Sequence, residues 1–148
     1  MNFSENVTKE KIISGTTLSI SGDQEQIATE TADPETLATL EQLKQLMDED
    51  EIYLNPSLSL RELAKSLQIH PNKLSWLINE NLGKNFNEYI NGWRLTAFQQ
   101  KAVDPENSNI TLLGLAYESG FNSKSVFNEF FKRSTGLTPR AWVKSRQE

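Results

Sequence analysis

Asn72, Lys73, Ser75, Trp76 and Asn79 recur at the three- and four-residue steps that bring side chains onto one face of a helix. Lys124, Ser125, Asn128, Glu129 and Lys132 repeat the arrangement further along, with Ser123 just ahead of them. The chemistry open to such faces is recognition rather than bond making. An Asn amide matches the donor and acceptor on an adenine edge, a Lys ammonium the acceptors of guanine, and a carboxylate the amino group of cytosine. Glu129 is the member that phosphates repel, so it either selects cytosine or marks the weaker of two readers. An exposed indole is unusual on a monomer, so Trp76 meets DNA, a partner protein or a neighbouring helix. Two readings therefore stand side by side: a reader of double-stranded DNA, and a protein-interaction module built on the exposed faces around Trp76.

Catalysis has little to work with. The chain holds one His and no Cys, and His70 stands in a turn with no second ligand or nucleophile near it in sequence. Without a Gly-rich phosphate loop, a base-activated nucleophile or a cluster of metal ligands, no enzyme, metal or cofactor is expected.

What positions the two faces is a repeat. Leu60-Arg61-Glu62-Leu63-Ala64, followed by Ile69, Leu74, Leu77, Ile78 and Gly83, is echoed by Leu112-Leu113-Gly114-Leu115-Ala116, Phe121, Phe127, Phe130, Phe131 and Gly136. The offset is 52 residues at Ala64/Ala116 and Ile69/Phe121 but 53 at Leu74/Phe127 and Gly83/Gly136. One residue has been added in the turn between two short helices, where insertions are tolerated. A helix with a small Ala, a tight turn and a second helix with an apolar i, i+3, i+4 face is the outline of a helix-turn-helix.

Local signals set the boundaries. Ser59 with Glu62 makes a capping box before a helix over 60–67, Pro71 suits the first turn of the next helix, and Gly83 stops it. Leu74, Leu77, Ile78 and Leu82 are its expected buried face. In the second unit Thr111 starts one helix, Asn122 or Ser123 caps the next, and Val126, Phe127, Phe130 and Phe131 are its apolar side. Between the units Phe86, Tyr89, Ile90, Trp93, Ala97 and Phe98 form a continuous stripe on one helix over about 86–103. Such a helix spans roughly 27 Å, enough to hold two recognition helices about one DNA turn, roughly 34 Å, apart. Residues 104–109 read as a loop. Asp33-Pro34 opens a further helix with Leu37, Leu40, Leu43, Leu46 and Met47 on one stripe, expected to pack on the first unit. Thr138-Pro139 opens a last helix, on which Trp142 covers the second unit and Arg140, Lys144 and Arg146 offer charge for phosphates. The fold class is all-α: two helix-turn-helix units, about 59–83 and 111–135, joined by a long helix, with about seven helices in all.

Charge divides the chain. The net charge of −5 averages three Lys against eleven acids in residues 1–50 and twelve Lys or Arg against nine acids in residues 51–148. An acidic, flexible tail or tether over residues 1–32 beside a mildly basic domain over 33–148 is the expected organisation. No apolar run approaches the roughly 20 residues that span a bilayer, and Met1-Asn2-Phe3-Ser4-Glu5 is not the start of a signal peptide. The expected location is the cytoplasm, or the cytoplasmic part of a membrane-anchored protein.

The residues resemble the C-terminal DNA-binding domain of the AraC/XylS family of bacterial transcription regulators. The matching positions are Tyr53-Leu54-Asn55-Pro56, Leu60, Leu63-Ala64, Gly83, Tyr89-Ile90-Asn91, Arg94-Leu95, Leu115-Ala116-Tyr117, Gly120-Phe121, Ser123, Phe127, Phe131-Lys132, Gly136 and Thr138-Pro139. The resemblance covers about two-thirds of the chain. It implies base reading by Asn72, Lys73, Ser75, Trp76 and Asn79 in the first unit and by Lys124, Ser125, Asn128 and Glu129 in the second. Trp76 and Glu129 stand where family members often place a longer polar or basic side chain, and Gly114 where a better helix former is usual. The resemblance also implies RNA polymerase as a partner, a sensor domain elsewhere in a longer parent chain of the membrane or two-component kind, and a monomeric isolated domain.

Overall fold

Asp33 starts the first helix by accepting the Thr36 N–H on Oδ1 at 2.7 Å. A computed structural model of the protein describes residues 33–147; the expected acidic tail over residues 1–32 lies outside the described residues. The bonds from Thr36 hold the Asp33 carboxyl below its ordinary pKa, as expected for a carboxylate that caps a helix. Pro34 occupies the first turn of α1 (Pro34–Asp48), where a missing N–H costs nothing.

A single 3-10 turn, Ile52–Leu54, leads to the first helix pair, α2 (Leu60–Leu67) and α3 (Pro71–Leu82). The capping box is formed: Glu62 N–H donates to Ser59 Oγ at 3.1 Å and Ser59 N–H to Glu62 Oε1 at 3.2 Å. His70 caps α3, its Nδ1 accepting the Asn72 N–H at 3.0 Å. Gly83 ends α3 in the left-handed region. The long helix α4 (Phe86–Ala102) begins with a second capping box, Asn85 with Glu88. The segment expected as a plain loop contains a 3-10 turn, Pro105–Asn107, which Asp104 caps. The second pair is α5 (Leu112–Glu118) and α6 (Lys124–Thr135), and α7 (Pro139–Arg146) closes the chain. Among the described residues there are seven α-helices and no strand.

The duplicated units differ at their first caps. Thr111 accepts the Gly114 N–H at 2.9 Å. Gly114 stands where Glu62 returns a side-chain bond in the first unit, so the second start has half of a capping box. A side chain at Gly114 would begin 3.1 Å from Ile110 and Thr111 side-chain atoms, a tight contact that those side chains would have to yield to.

Two apolar cores lie along α4, and they share no residue. The first gathers Leu40, Leu43 and Met47 of α1 with Leu63, Ala64, Leu67, Leu74 and Ile78 of the first pair and Tyr89, Ile90 and Ala97 of α4. The second gathers Leu95 and Phe98 of α4 with Leu115, Ala116, Phe121, Phe127, Phe130, Phe131 and Trp142. Of the six stripe residues of α4, Phe86, Tyr89, Ile90, Trp93 and Ala97 turn to the first core, while Phe98 joins Leu95 on the second. In the second core Phe98 meets Phe127 edge-on at 4.8 Å and Phe131 at 5.5 Å, and Phe131 meets Trp142 at 6.0 Å. Such pairs contribute about 0.5–1.5 kcal/mol each beyond area burial.

Two further expectations are corrected. Val126 is 45% exposed, because Phe127, Phe130 and Phe131 fill the inward face of α6. In α3 Leu82 is only half-buried, and Asn81 is buried instead, its amide returned to the Leu77 carbonyl at 3.0 Å.

Candidate nucleic-acid interface

Burial of Leu74, Leu77 and Ile78 fixes the rotation of α3 about its axis. That leaves Asn72, Lys73, Trp76 and Asn79 exposed and Ser75 half-buried. The expected face therefore exists as one surface. Trp76 is 55% exposed and belongs to neither core. Asn79 folds its amide back onto the Ser75 carbonyl at 2.9 Å. Lys73 forms an ion pair with Glu35 of α1 at 3.7 Å. The acidic start of α1 thus lies beside the start of α3.

Phe127, Phe130 and Phe131 fix α6 in the same way, leaving Lys124, Ser125, Asn128, Glu129 and Lys132 exposed. Ser123 is the helix cap: its Oγ accepts the Val126 N–H at 3.2 Å, which leaves its hydroxyl proton and one lone pair for a further partner. A groove of about 1100 Å³ runs along this face, bounded by Leu112 and Leu113 of α5 and by Thr138, Pro139 and Arg140 at the start of α7. Lys124, Lys132, Arg133 and Arg140 line it against one acid, Glu129. The groove is concave and cationic, suited to a polyanion.

Of the three α7 cations, Arg140 lines this groove. Arg146 lies over the Trp142 ring at 4.8 Å and shields the second core. Sequence reasoning did not single out Arg133. It lies four residues after Glu129, so the spacing of the face carried a signal for it, and its guanidinium also lies 5.5 Å from the Phe130 ring centre. Among the described residues no group of three His, Cys, Asp or Glu could hold a metal ion, and no helix is long and apolar enough to cross a membrane.

Two helix pairs, each presenting the polar face of its second helix, define a DNA-binding transcription-regulator domain. The profile described as a helix-turn-helix domain matches residues 63–145, and the chain belongs to this AraC-type family, which is not an enzyme class. An uncharacterized HTH-type transcriptional regulator of Staphylococcus aureus (strain COL) is 28% identical over 102 residues, 69% of this chain. The chain spans only 13% of the length of that curated relative. Among solved structures, the C-terminal domain of AraT, a response regulator from Geobacillus stearothermophilus, superposes with a TM-score of 0.60 at 17% identity, covering 78% of this chain and 88% of that one. The C-terminal domain of the two-component response regulator yesN from Fusobacterium nucleatum gives 0.60 at 22% identity, covering 72% and 98%. At these identities the likeness is one of fold. The family match begins inside α2, so α1 lies outside it although its leucines are part of the first core.

Proposed function

We propose that this domain binds double-stranded DNA sequence-specifically, with α3 and α6 in successive major grooves. The observation that carries the reading is the pairing of two exposed polar faces with one unbroken helix between their units. The 17 residues of α4 extend about 26 Å at 1.5 Å per residue, a length compatible with recognition helices about one DNA turn apart. Asn72 and Lys73 then face base edges from the start of α3, and Lys124, Ser125, Asn128 and Glu129 from α6, while Arg140 approaches a phosphate. Residues 33–148 form the DNA-binding domain, with residues 1–32 as an acidic tether. The greater length of the curated relatives supports a place for this domain in a larger regulator; we infer that this regulator is cytoplasmic or membrane-anchored, carries a sensor elsewhere and acts on RNA polymerase, and that the isolated domain is a monomer.

The test is binding to duplexes selected from a random pool, followed across salt. Affinity should fall steeply as salt rises, because each phosphate contact releases counterions. Asn72→Ala and Lys124→Ala should each weaken specific binding by about 1–3 kcal/mol and relax base preference at one position. A pool with no enriched motif, and substitutions without effect, would favour the interaction module around Trp76 instead.

A further inference from the structure

We infer that Arg94, together with Gly120 and Asn122, positions the second helix-turn-helix unit against the first and so fixes the distance and phase between the two base-reading helices. The inference rests on the two-groove reading above. Because the two cores share no residue, no common apolar core sets the angle between the units. α4 joins them, and one polar junction braces them.

Arg94 sits on α4 immediately before Leu95 of the second core, yet it reaches back to the first unit. Its Nε donates to the Tyr53 carbonyl at 2.8 Å and its Nη2 to the Asn55 carbonyl at 3.0 Å, while Nη1 donates to Asn91 Oδ1 at 3.2 Å. Tyr53 belongs to the first core and its ring stacks on Trp93 at 5.9 Å. The rigid guanidinium fork thus holds the strap over 53–55 at a defined angle to α4, which a flexible ammonium could not do. Arg94 is 9% exposed, and that burial lowers its pKa. A buried cation held by neutral acceptors is an expensive way to stabilise a fold and a good way to direct one.

The second unit meets the same strap from its own turn. Asn122 Nδ2 donates to the Pro56 carbonyl at 3.2 Å. Gly120 approaches so closely that a Cβ there would run into the Tyr53 carbonyl oxygen and lie 2.8 Å from Arg94 Nε. The duplication sharpens the point. Gln68, paired with Gly120 at the 52-residue offset, is also left-handed, with φ 58°. The first turn keeps a side chain because its left-handed residue faces solvent. The second, with φ 107°, is stripped to glycine where it presses on the first unit. Asn122 lies in the stretch that is one residue longer than in the first turn, so the break in the repeat coincides with the contact between its halves.

The experiment measures affinity for duplexes carrying the two half-sites selected by the wild type, with the spacer varied one base pair at a time. Each added pair shifts the second site by about 3.4 Å and turns it by about 34°. The wild type should lose about tenfold per base pair of spacer error, and Asn122→Ala about threefold, because the hydrogen bond to the Pro56 carbonyl no longer resists the twist. Arg94→Lys should flatten the profile further, with the base preference of each half-site unchanged. Asn122 is exposed, so its variant keeps the fold, which circular dichroism checks. Variants that lose affinity equally at every spacer would make these residues merely structural and overturn the inference. A wild type that selects no two-part site would overturn the two-groove reading and the inference with it, whereas a sharp optimum unchanged in both variants would overturn the inference alone.

Discussion

Gly120→Ala should cost this fold far more than an exposed turn substitution normally does. The backbone there has φ 107°, where a non-glycine residue is strained by about 1–3 kcal/mol. The new Cβ also meets a backbone carbonyl, that of Tyr53, which cannot swing aside as a side-chain tip would. Forcing it in adds about 1–3 kcal/mol of overpacking. Alanine recovers about 0.4–1 kcal/mol by narrowing the unfolded ensemble, so the net loss is about 3 kcal/mol. At about 4 °C per kcal/mol for a domain near this size, the melting temperature drops by about 12 °C. Thermal and urea unfolding followed by circular dichroism measure both quantities. The paired change Gln68→Gly calibrates them: it releases left-handed strain and loses backbone entropy in similar amounts, and should stay within about 1 kcal/mol of wild type. If Gly120→Ala were equally mild, the close approach of the second turn to Tyr53 would be wrong.

Other outcomes follow from single features. Gly92 lies within α4, and a Cβ there would meet nothing within 4 Å, so Gly92→Ala should stabilise by about 0.5–1 kcal/mol in the same unfolding assays. Glu35→Gln removes the carboxylate paired with Lys73. DNA affinity should rise about two- to fivefold at low salt and converge with wild type at about 1 M, where screening acts within about 3 Å; no change at low salt would show that Glu35 does not restrain Lys73. Because the folded pKa of Asp33 is depressed, its capping contribution is fully present above the ordinary carboxylate range. That contribution is lost as pH falls through the depressed value, and an NMR titration of its carboxyl carbon should reveal the lowered midpoint.

Much of the helical framework was legible because its signals are local. Ser59 with Glu62, Asp33 with Pro34, and Gly83 act within a turn of chain, and each is found in the role its type suggests. The Asn85–Glu88 box carried an equally local signal that the reading passed over. Val126 misled because a β-branched residue next to phenylalanines looks apolar in a list, while helical rotation leaves it outside. The exposed faces followed from the buried ones, since locating the core side of α3 or α6 locates its opposite. What escaped was long-range. Arg94 was visible only as part of a motif, for its strap partners lie 41 and 39 residues away. The Glu35–Lys73 pair likewise joins two helices that no periodicity relates.

Hydroxyl-radical footprinting of the wild-type domain on its selected duplex tests most directly whether both helices read DNA. Two protected patches should lie on one face of the DNA, centred about 10–10.5 base pairs apart. Lys124→Ala should weaken the patch under α6, and Asn72→Ala the patch under α3. A single patch, or protection that no substitution in α6 alters, would contradict the claim that both helices read DNA.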